Sequence, residues 1–252
     1  MAPPRTSTTL DRDVAPGVHR LEHADTNLYL VEHDDRVLIV DAGLPGAWPH
    51  LVEALFGLGH GLPSVDGVVL THAHFDHVGT ARRLRQRWDV PVWVHPGDAR
   101  LARHPYSYRH ERPRWRYPLE HPAAIPALGR MALAGALTVR GVPGARPLSE
   151  ARLPADAVVL ETPGHTDGHV ALHLPDRDAV IVGDAVVTLD PYTGRRGPQI
   201  VAGAATADSD VALGSLERIA ATGARVLLPG HGAPWTGGAE EAVARARRAG
   251  AH

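Results

Sequence analysis

The sequence predicts an α/β protein whose chemistry sits on loops at the ends of strands, and three observations carry that expectation. Short apolar runs of strand length alternate with segments of helical period. One β-loop-α-β unit stands out at residues 67–95. Four apolar runs each pass straight into a loop that bears histidine or aspartate. In open α/β sheets, sites gather at the carboxyl ends of strands, so such loops can converge.

Taken in order, residues 18–21, 27–32 and 36–40 read as a strand meander, with Asp34-Asp35 as a hairpin turn. The third strand ends in Asp41-Ala42-Gly43. A helix follows, with Leu51, Ala54, Leu55 and Leu58 on one face and a stop at residues 59–61. The strand at 67–70 enters Thr71-His72-Ala73-His74-Phe75-Asp76-His77; a helix over 80–88 and a strand over 90–95 complete that unit. Strands at 157–160, 179–182 and 225–228 lead into Thr162-Pro163-Gly164-His165-Thr166-Asp167-Gly168-His169, Gly183-Asp184 and Pro229-Gly230-His231-Gly232. The stretch from about 98 to 142 breaks this rhythm. It holds an arginine- and aromatic-rich run at 103–117 and a nearly uncharged segment at 123–139, read as helical. Residues 238–250 read as a closing helix.

Composition narrows the chemistry. With 44% hydrophobic and 21% charged residues, the chain has the make-up of a soluble globular protein. A formal net charge of −2 gives no general attraction to nucleic acid or an anionic membrane. Residues 1–17 lack the apolar core of a signal peptide, and no run approaches a membrane span, so a cytoplasmic location is expected. No cysteine is present, which excludes disulfides, thiolate ligands and cysteine nucleophiles. All 26 basic residues are arginine, which excludes a Schiff-base lysine and a phosphate-loop lysine. Histidine, by contrast, occurs 17 times.

The segment His72-x-His74-x-Asp76-His77 is the strongest chemical signal. Two histidines two apart can meet one metal from a tight loop, and Asp76 and His77 can then turn to a second metal beside it. Nitrogen and oxygen donors suit zinc, and also iron or manganese. A lone Pro-Gly-His-Gly is ordinarily just a turn, and Gly-Asp after a strand is ordinary loop chemistry. Four such pieces, each behind an apolar strand, point to a metal site.

Together with Asp41-Ala42-Gly43, these segments resemble the motif series of the metallo-β-lactamase superfamily, in order from about residue 17 to 235. The resemblance implies an αβ/βα four-layer sandwich, one domain over residues 1–252 with a central helical insertion at about 98–142, and metals at one edge between two sheets. It implies one metal held by His72, His74 and His165, and a second held by Asp76, His77 and His231. Asp184 matches the aspartate that bridges the two, and Asp41 a position that orients a ligand histidine. His169 matches the second histidine of the form seen in glyoxalase II, and is expected behind the ligands. The cofactor implied is two zinc ions per chain, with iron or manganese as alternatives. The N-terminal tail, the insertion and the last helix fall outside the resemblance.

The reaction implied is hydrolysis by a hydroxide shared between the metals, with Asp76 also orienting it or passing a proton to the leaving group. The missing cysteine and the presence of Asp184 argue against the β-lactamases of this superfamily. His74 stands where the oxygen-reducing diiron branch has glutamate, and the basic arm of RNA-processing members is not found. Glyoxalase II shares the metal motifs but adds a C-terminal helical domain. The acyl-homoserine lactonases share all seven ligands and a similar length. A small ester, lactone or thioester is therefore the expected substrate, with no nucleic-acid or membrane partner and a homodimer through 123–139 as one option for the insertion. The alternatives are a mononuclear iron enzyme resembling persulfide dioxygenase, and a non-catalytic metal-binding interaction module.

Overall fold

The computed structural model describes residues 8–252. Seven strands lie side by side in chain order: β1 (Thr8–Ala15), β2 (Val18–His23), β3 (Thr26–His33), β4 (Arg36–Val40), β5 (Val65–Val69), β6 (Val92–Val94) and β7 (Arg146–Pro147). The first four pair antiparallel and the last four parallel. Side chains alternate across a strand, and here both faces are apolar. Leu28, Leu30, Val37 and Ile39 pack with Leu51, Ala54 and Leu55 of α1 (Trp48–Gly57) and with Ala81 and Leu84 of α2 (Ala81–Trp88). Tyr29, Val31, Leu38 and Val40 face the other way, onto a second sheet. The glycine stop after α1 is real: Gly59 takes φ 85°, and the His60 N–H closes back on the Leu55 carbonyl.

The second sheet holds β8 (Val158–Glu161), β9 (Val170–Leu174), β10 (Ala179–Gly183) and β13 (Val226–Pro229), in the order β13-β10-β9-β8. A separate ribbon pairs β11 (Val187–Leu189) with β12 (Arg196–Gln199). Ala179, Ile181, Val226 and Leu228 face the first sheet. Val180, Val182 and Leu227 face outward, onto α6 (Ser209–Ser215), α7 (Glu217–Ala220) and α8 (Ala239–Ala249). The result is helices, sheet, sheet, helices: the αβ/βα sandwich that the motif series implies.

Strand direction places the site. β4, β5 and β6 are mutually parallel. In the second sheet β8 opposes β9, β9 opposes β10, and β10 runs with β13, so β8, β10 and β13 share one direction. The loops bearing Asp41, residues 71–77, 162–169, Asp184 and His231 all leave the carboxyl ends of these strands. Because β3 is antiparallel to β4, the β2–β3 turn at Ala24-Asp25 lies on that edge too.

Four features depart from the sequence reading. Residues 8–15 belong to the sheet rather than to a tail: Asp11 faces Arg20, whose guanidinium donates to its carboxylate, and Leu10, Val14 and Ala15 turn toward the cores. A half-polar edge strand carries little apolar signal. The parallel β10–β13 pair needs a crossover, which α6 and α7 supply; both are short and were not foreseen. The insertion is three short helices, α3 (Ala99–Arg103), α4 (Tyr117–Glu120) and α5 (Ile125–Leu133), joined by irregular turns. The helix expected over 123–139 ends early because Gly135 takes φ 95°, with Gly135 N–H bonded to Ala132 O and Ala136 N–H to Met131 O. Within it Ala127 and Met131 are buried, while Ile125, Leu133 and Leu137 are exposed. Among the described residues no helix is long and apolar enough to cross a membrane.

Met131 joins the insertion to the core that lies under α1 and α2. Met131→Ala should therefore lower the unfolding free energy by about 2–5 kcal/mol. A urea transition unchanged from the parent would show that the insertion packs independently of that core.

Candidate metal centre

The 71–77 loop is fixed from below by Asp41. That residue sits in the left-handed region (φ 63°), its N–H donating to Val69 O. Its buried carboxylate accepts from the Thr71 N–H at 2.8 Å and the Thr71 hydroxyl at 2.8 Å, and faces His77 Nδ1 at 3.0 Å. His77 Nδ1–H therefore donates to Asp41, and Nε2 is turned to the cluster. The Thr71 hydroxyl, its proton committed to Asp41, accepts from His72 Nδ1–H at 3.0 Å. His72 thus keeps its lone pair on Nε2.

The same logic holds on the second sheet. His165 Nδ1 lies 3.3 Å from the Thr206 hydroxyl, which donates to Val201 O, so His165 donates and its Nε2 is free. His231 Nδ1 can only donate to the carbonyl of Asp25, at 2.7 Å. His169 differs: its Nε2 accepts from the Asp184 N–H at 3.1 Å and its Nδ1 meets Thr162 Oγ1 at 2.8 Å. His169 thus uses its lone pair to hold the Asp184 backbone, and sits behind the cluster.

Two glycines make the close approach possible. At Gly183 (φ 47°) a Cβ would strike the Thr71 hydroxyl and come within 3.0 Å of His169 Nε2. At Gly230 it would strike Asp184 Oδ1. The glycines of Gly183-Asp184 and Pro229-Gly230-His231 are therefore demanded by the crowding of the site itself.

The loops converge on Asp184. Its Oδ2 lies 3.4 Å from His231 Nε2, 3.5 Å from His165 Nε2 and 3.9 Å from His72 Nε2; its Oδ1 lies 3.5 Å from His77 Nε2. Asp76 Oδ2 is 3.3 Å from His231 Nε2. His165 Nε2 and His74 Nδ1 are 2.9 Å apart, so the two rings can share one proton or one cation. Donor atoms of His72, His74 and His165 form one compact group, and those of Asp76, His77 and His231 another. A third grouping, Asp41 with His72 and His77, includes the carboxylate already engaged with His77 Nδ1, and reads as support. All seven expected ligands are buried, and His72 Nε2, His74 Nε2, His77 Nε2 and Asp184 Oδ1 have no hydrogen-bond partner.

Burial sets the charge states. It pushes His72 and His74 well below the ordinary histidine value, helped by neighbouring imidazoles, and takes His165 and His169 down to about 3. These rings are neutral, the form in which imidazole ligates a cation. Burial also opposes charge on His77, but the carboxylates of Asp184, Asp41 and Asp76 outweigh it and raise it to about 9. His231 is raised against burial in the same way by Asp184 and Asp76. For Asp184, burial disfavours the anion, but His231 and His77 hold its carboxyl well below the usual range.

Several supporting residues escaped the sequence reading. Asp98, placed there at the start of the insertion, is buried, and its carboxylate accepts from Ala73 N–H (3.0 Å), Thr166 Oγ1–H (2.8 Å) and Gly168 N–H (2.8 Å). It ties the His72/His74 loop to the His165 loop. Its signal was there: Pro96-Gly97-Asp98 follows a strand just as Pro163-Gly164-His165 and Pro229-Gly230-His231 do. Asn27 Nδ2 donates to Pro229 O and Gly232 O, and the Tyr29 hydroxyl donates to Pro229 O, so β3 holds the His231 loop. No local pattern marks those two. Arg130 of α5 donates to Asp25, whose carbonyl orients His231. The insertion also covers the cluster: Tyr108, buried, lies 4.1 Å from the His74 ring, and Tyr106 stacks on Phe75 at 5.4 Å.

Removing the Asp98 carboxylate strands two buried N–H groups and frees one loop from the other. Asp98→Ala should weaken metal binding by about 10- to 100-fold, the scale seen when residues behind metal ligands are lost. Titration against a competing chelator measures it; an affinity equal to the parent would show that the loops hold their spacing without Asp98.

The comparisons agree with this geometry. The family model described as the metallo-beta-lactamase superfamily matches residues 23–231. The chain is 29% identical over 240 residues to the probable metallo-hydrolase YflN of Bacillus subtilis, covering 89% of this chain and 87% of that protein. Among solved structures it resembles the metallo-beta-lactamase family protein TTHA1429 of Thermus thermophilus, with a TM-score of 0.62, 26% identity, and coverage of 98% of this chain and 81% of that one. It also resembles TTHA1623, solved in a di-iron-bound form, with a TM-score of 0.58, 28% identity, and coverage of 88% and 93%. Matched across most of its length, and folded as two facing sheets with buried histidines and aspartates gathered at one edge, the chain belongs to the metallo-β-lactamase superfamily.

Proposed function

We propose that this protein is a metal-dependent hydrolase of small esters, lactones or thioesters. The observation that carries the reading is the set of buried donor atoms turned to the cluster, His72 Nε2, His77 Nε2 and Asp184 Oδ1, that make no hydrogen bond to any described protein group, beside His74 Nδ1, which meets only His165 Nε2. Leaving such a group unpaired costs about 1–3 kcal/mol, and three together are costly unless a ligand completes them. Two divalent cations fit: the donors are imidazole nitrogens and carboxylate oxygens, arranged as two groups on either side of Asp184, and a bound cation would displace the protons that the carboxylates hold on His77 and His231. His72, His74 and His165 would hold one ion, Asp76, His77 and His231 the other, and Asp184 would touch both. Zinc suits this donor set, and the di-iron form of TTHA1623 supports iron as the alternative.

Bound there, such ions supply an acidified water and a polarised carbonyl. The chain's own residues do the rest. Asp41, Thr71, Thr206 and the Asp25 carbonyl take the outer protons of four histidines and aim their Nε2 atoms inward. Asp76, beside His231 and buried, is positioned to accept a proton from the attacking water and return it to the leaving oxygen or sulfur. Phe75 and Tyr108 shield the cluster from solvent. A cavity of about 140 Å³ between His165, Tyr108 and Leu101 is sized for a small substrate group.

Three measurements test this. Elemental analysis of the undenatured protein should find about two transition-metal ions per chain; a value near zero after metal supplementation would sink the proposal. The metal-loaded protein, screened against lactones, thioesters, simple esters, phosphodiesters and β-lactams, should hydrolyse a member of the first three classes and lose that activity to a chelator. Phosphodiesters as the sole substrates would overturn the substrate class but leave the metal centre standing. Asp184→Asn should cut turnover of the best substrate by about 100-fold or more with the fold retained, because the central anion sets the spacing of the site; activity within a few-fold of the parent would contradict its central role.

A further inference from the structure

The insertion brings a cation to the rim of this centre. Its backbone is anchored where it passes the site: the N–H groups of Glu111 and Arg112 both donate to Gly203 O, and the Glu111 carboxylate accepts from the Ser209 N–H at 2.7 Å and the Ser209 hydroxyl at 2.6 Å. The anchored loop, residues 203–209, also carries Thr206, which orients His165. Arg114 follows directly and opens a single helical turn, Arg114–Arg116. Its guanidinium lies 4.0 Å from the centre of the Tyr108 ring, the same ring that lies 4.1 Å from His74. The Tyr108 hydroxyl meets that of Tyr192 at 3.2 Å. Both hydroxyls lie within the fields of Arg114 and of Asp76, which act on them with opposite sign.

Arg114 is left with bonding capacity. Its Nε is buried and has no hydrogen-bond partner among the described residues, and the guanidinium pairs with none of their carboxylates. Of the neighbouring charges, Arg109 pairs with Asp167, Arg116 with Glu120 and Glu111 with Ser209, while the Arg112 guanidinium, like that of Arg114, pairs with no carboxylate among the described residues. A guanidinium seated over an aromatic ring can keep N–H groups for a ligand, and its edges offer two parallel N–H groups with the spacing of a carboxylate.

We propose that Arg114, seated on Tyr108, is the specificity-determining residue of this site, and that the substrate is an ester or thioester whose body carries a carboxylate. This rests on the hydrolase reading and deepens it. The scissile carbonyl would lie at the metal centre, and the carboxylate would reach past the Tyr108 and Tyr192 hydroxyls to the guanidinium edge. One guanidinium, carrying a single charge, matches a monoanion better than a phosphate dianion. The tyrosine hydroxyls give the substrate body polar contacts along the way, and Tyr108 holds Arg114 in place.

The test compares paired thioesters that differ only in a terminal carboxylate or carboxamide, together with a third bearing a phosphate. The parent enzyme should favour the carboxylate over the carboxamide by tenfold or more in kcat/KM, and the phosphate should fall below the carboxylate. Arg114→Gln should lower that preference at least tenfold, chiefly through KM. Arg114→Lys should restore part of it. Arg116→Gln, a charge change on the same turn at a residue paired with Glu120, should leave it intact. A readout independent of turnover is binding of the free carboxylate product to chelator-stripped protein, followed by calorimetry: Arg114→Gln should weaken it at least tenfold. A parent enzyme with no preference, a preference that survives Arg114→Gln, or a loss equally large in Arg116→Gln would overturn the proposal. A phosphate favoured over the carboxylate would overturn the carboxylate assignment. If no ester or thioester is hydrolysed at all, the hydrolase reading fails, while product binding in the stripped protein still decides the role of Arg114.

Discussion

A carboxylate buried among four imidazoles is the constraint on which this structure turns. Asp184 Oδ2 looks toward His72, His165 and His231, and Oδ1 toward His77. The cluster is buried, so each of these rings meets a protein acceptor with its outer nitrogen and turns Nε2 inward. The fold does this with neutral or fixed acceptors. A threonine serves His72, another threonine His165, a backbone carbonyl His231, and one aspartate His77. Only one of the four outer partners carries charge, which limits the negative charge buried around the site.

The cluster also dictates how the two sheets meet. Each sheet supplies donors, so their edges must be locked in register at the site. Three connections do so. Asp98 joins the 71–77 and 162–169 loops, Val170 N–H donates to Thr71 O, and Asn27 and Tyr29 reach across from β3 to the His231 loop. Most are hydrogen bonds to backbone groups, which fix position without demanding a particular neighbouring side chain. The apolar layer between the sheets, from Tyr29, Leu38 and Trp93 to Leu172, Ile181 and Leu228, sets their separation but is indifferent to small slips along it. Directional bonds at the edge remove that freedom.

The insertion has a double allegiance. Met131 and Ala127 secure α5 to the body of the protein, and Arg130 reaches the turn that orients His231. The run before α5 instead lays Tyr106 and Tyr108 on Phe75 and His74, with Arg114 on Tyr108. The candidate ligands are thus carried by the strand-end loops, and the walls of the cleft by a separate segment. Such a division lets one scaffold serve many substrates.

The sequence by itself determined a good deal. The alternation of apolar strands with His- and Asp-bearing loops was enough for the α/β class, because side-chain period and strand length are local properties. The motif series placed Asp41, His72, His74, Asp76, His77, His165, Asp184 and His231 in one family pattern, and the structure brings all eight to one edge. Other features only the tertiary structure decided. β1 pairs through an edge whose polar face has no periodic signature. Asp98, Asn27 and Tyr29 act through partners 25 to 205 residues away in the chain, a range at which local pattern holds no information. The tautomers of the histidines, and with them the split between ligand candidates and His169, follow from which outer acceptor each ring meets. That acceptor is a matter of packing in three dimensions, and spacing along the chain does not contain it.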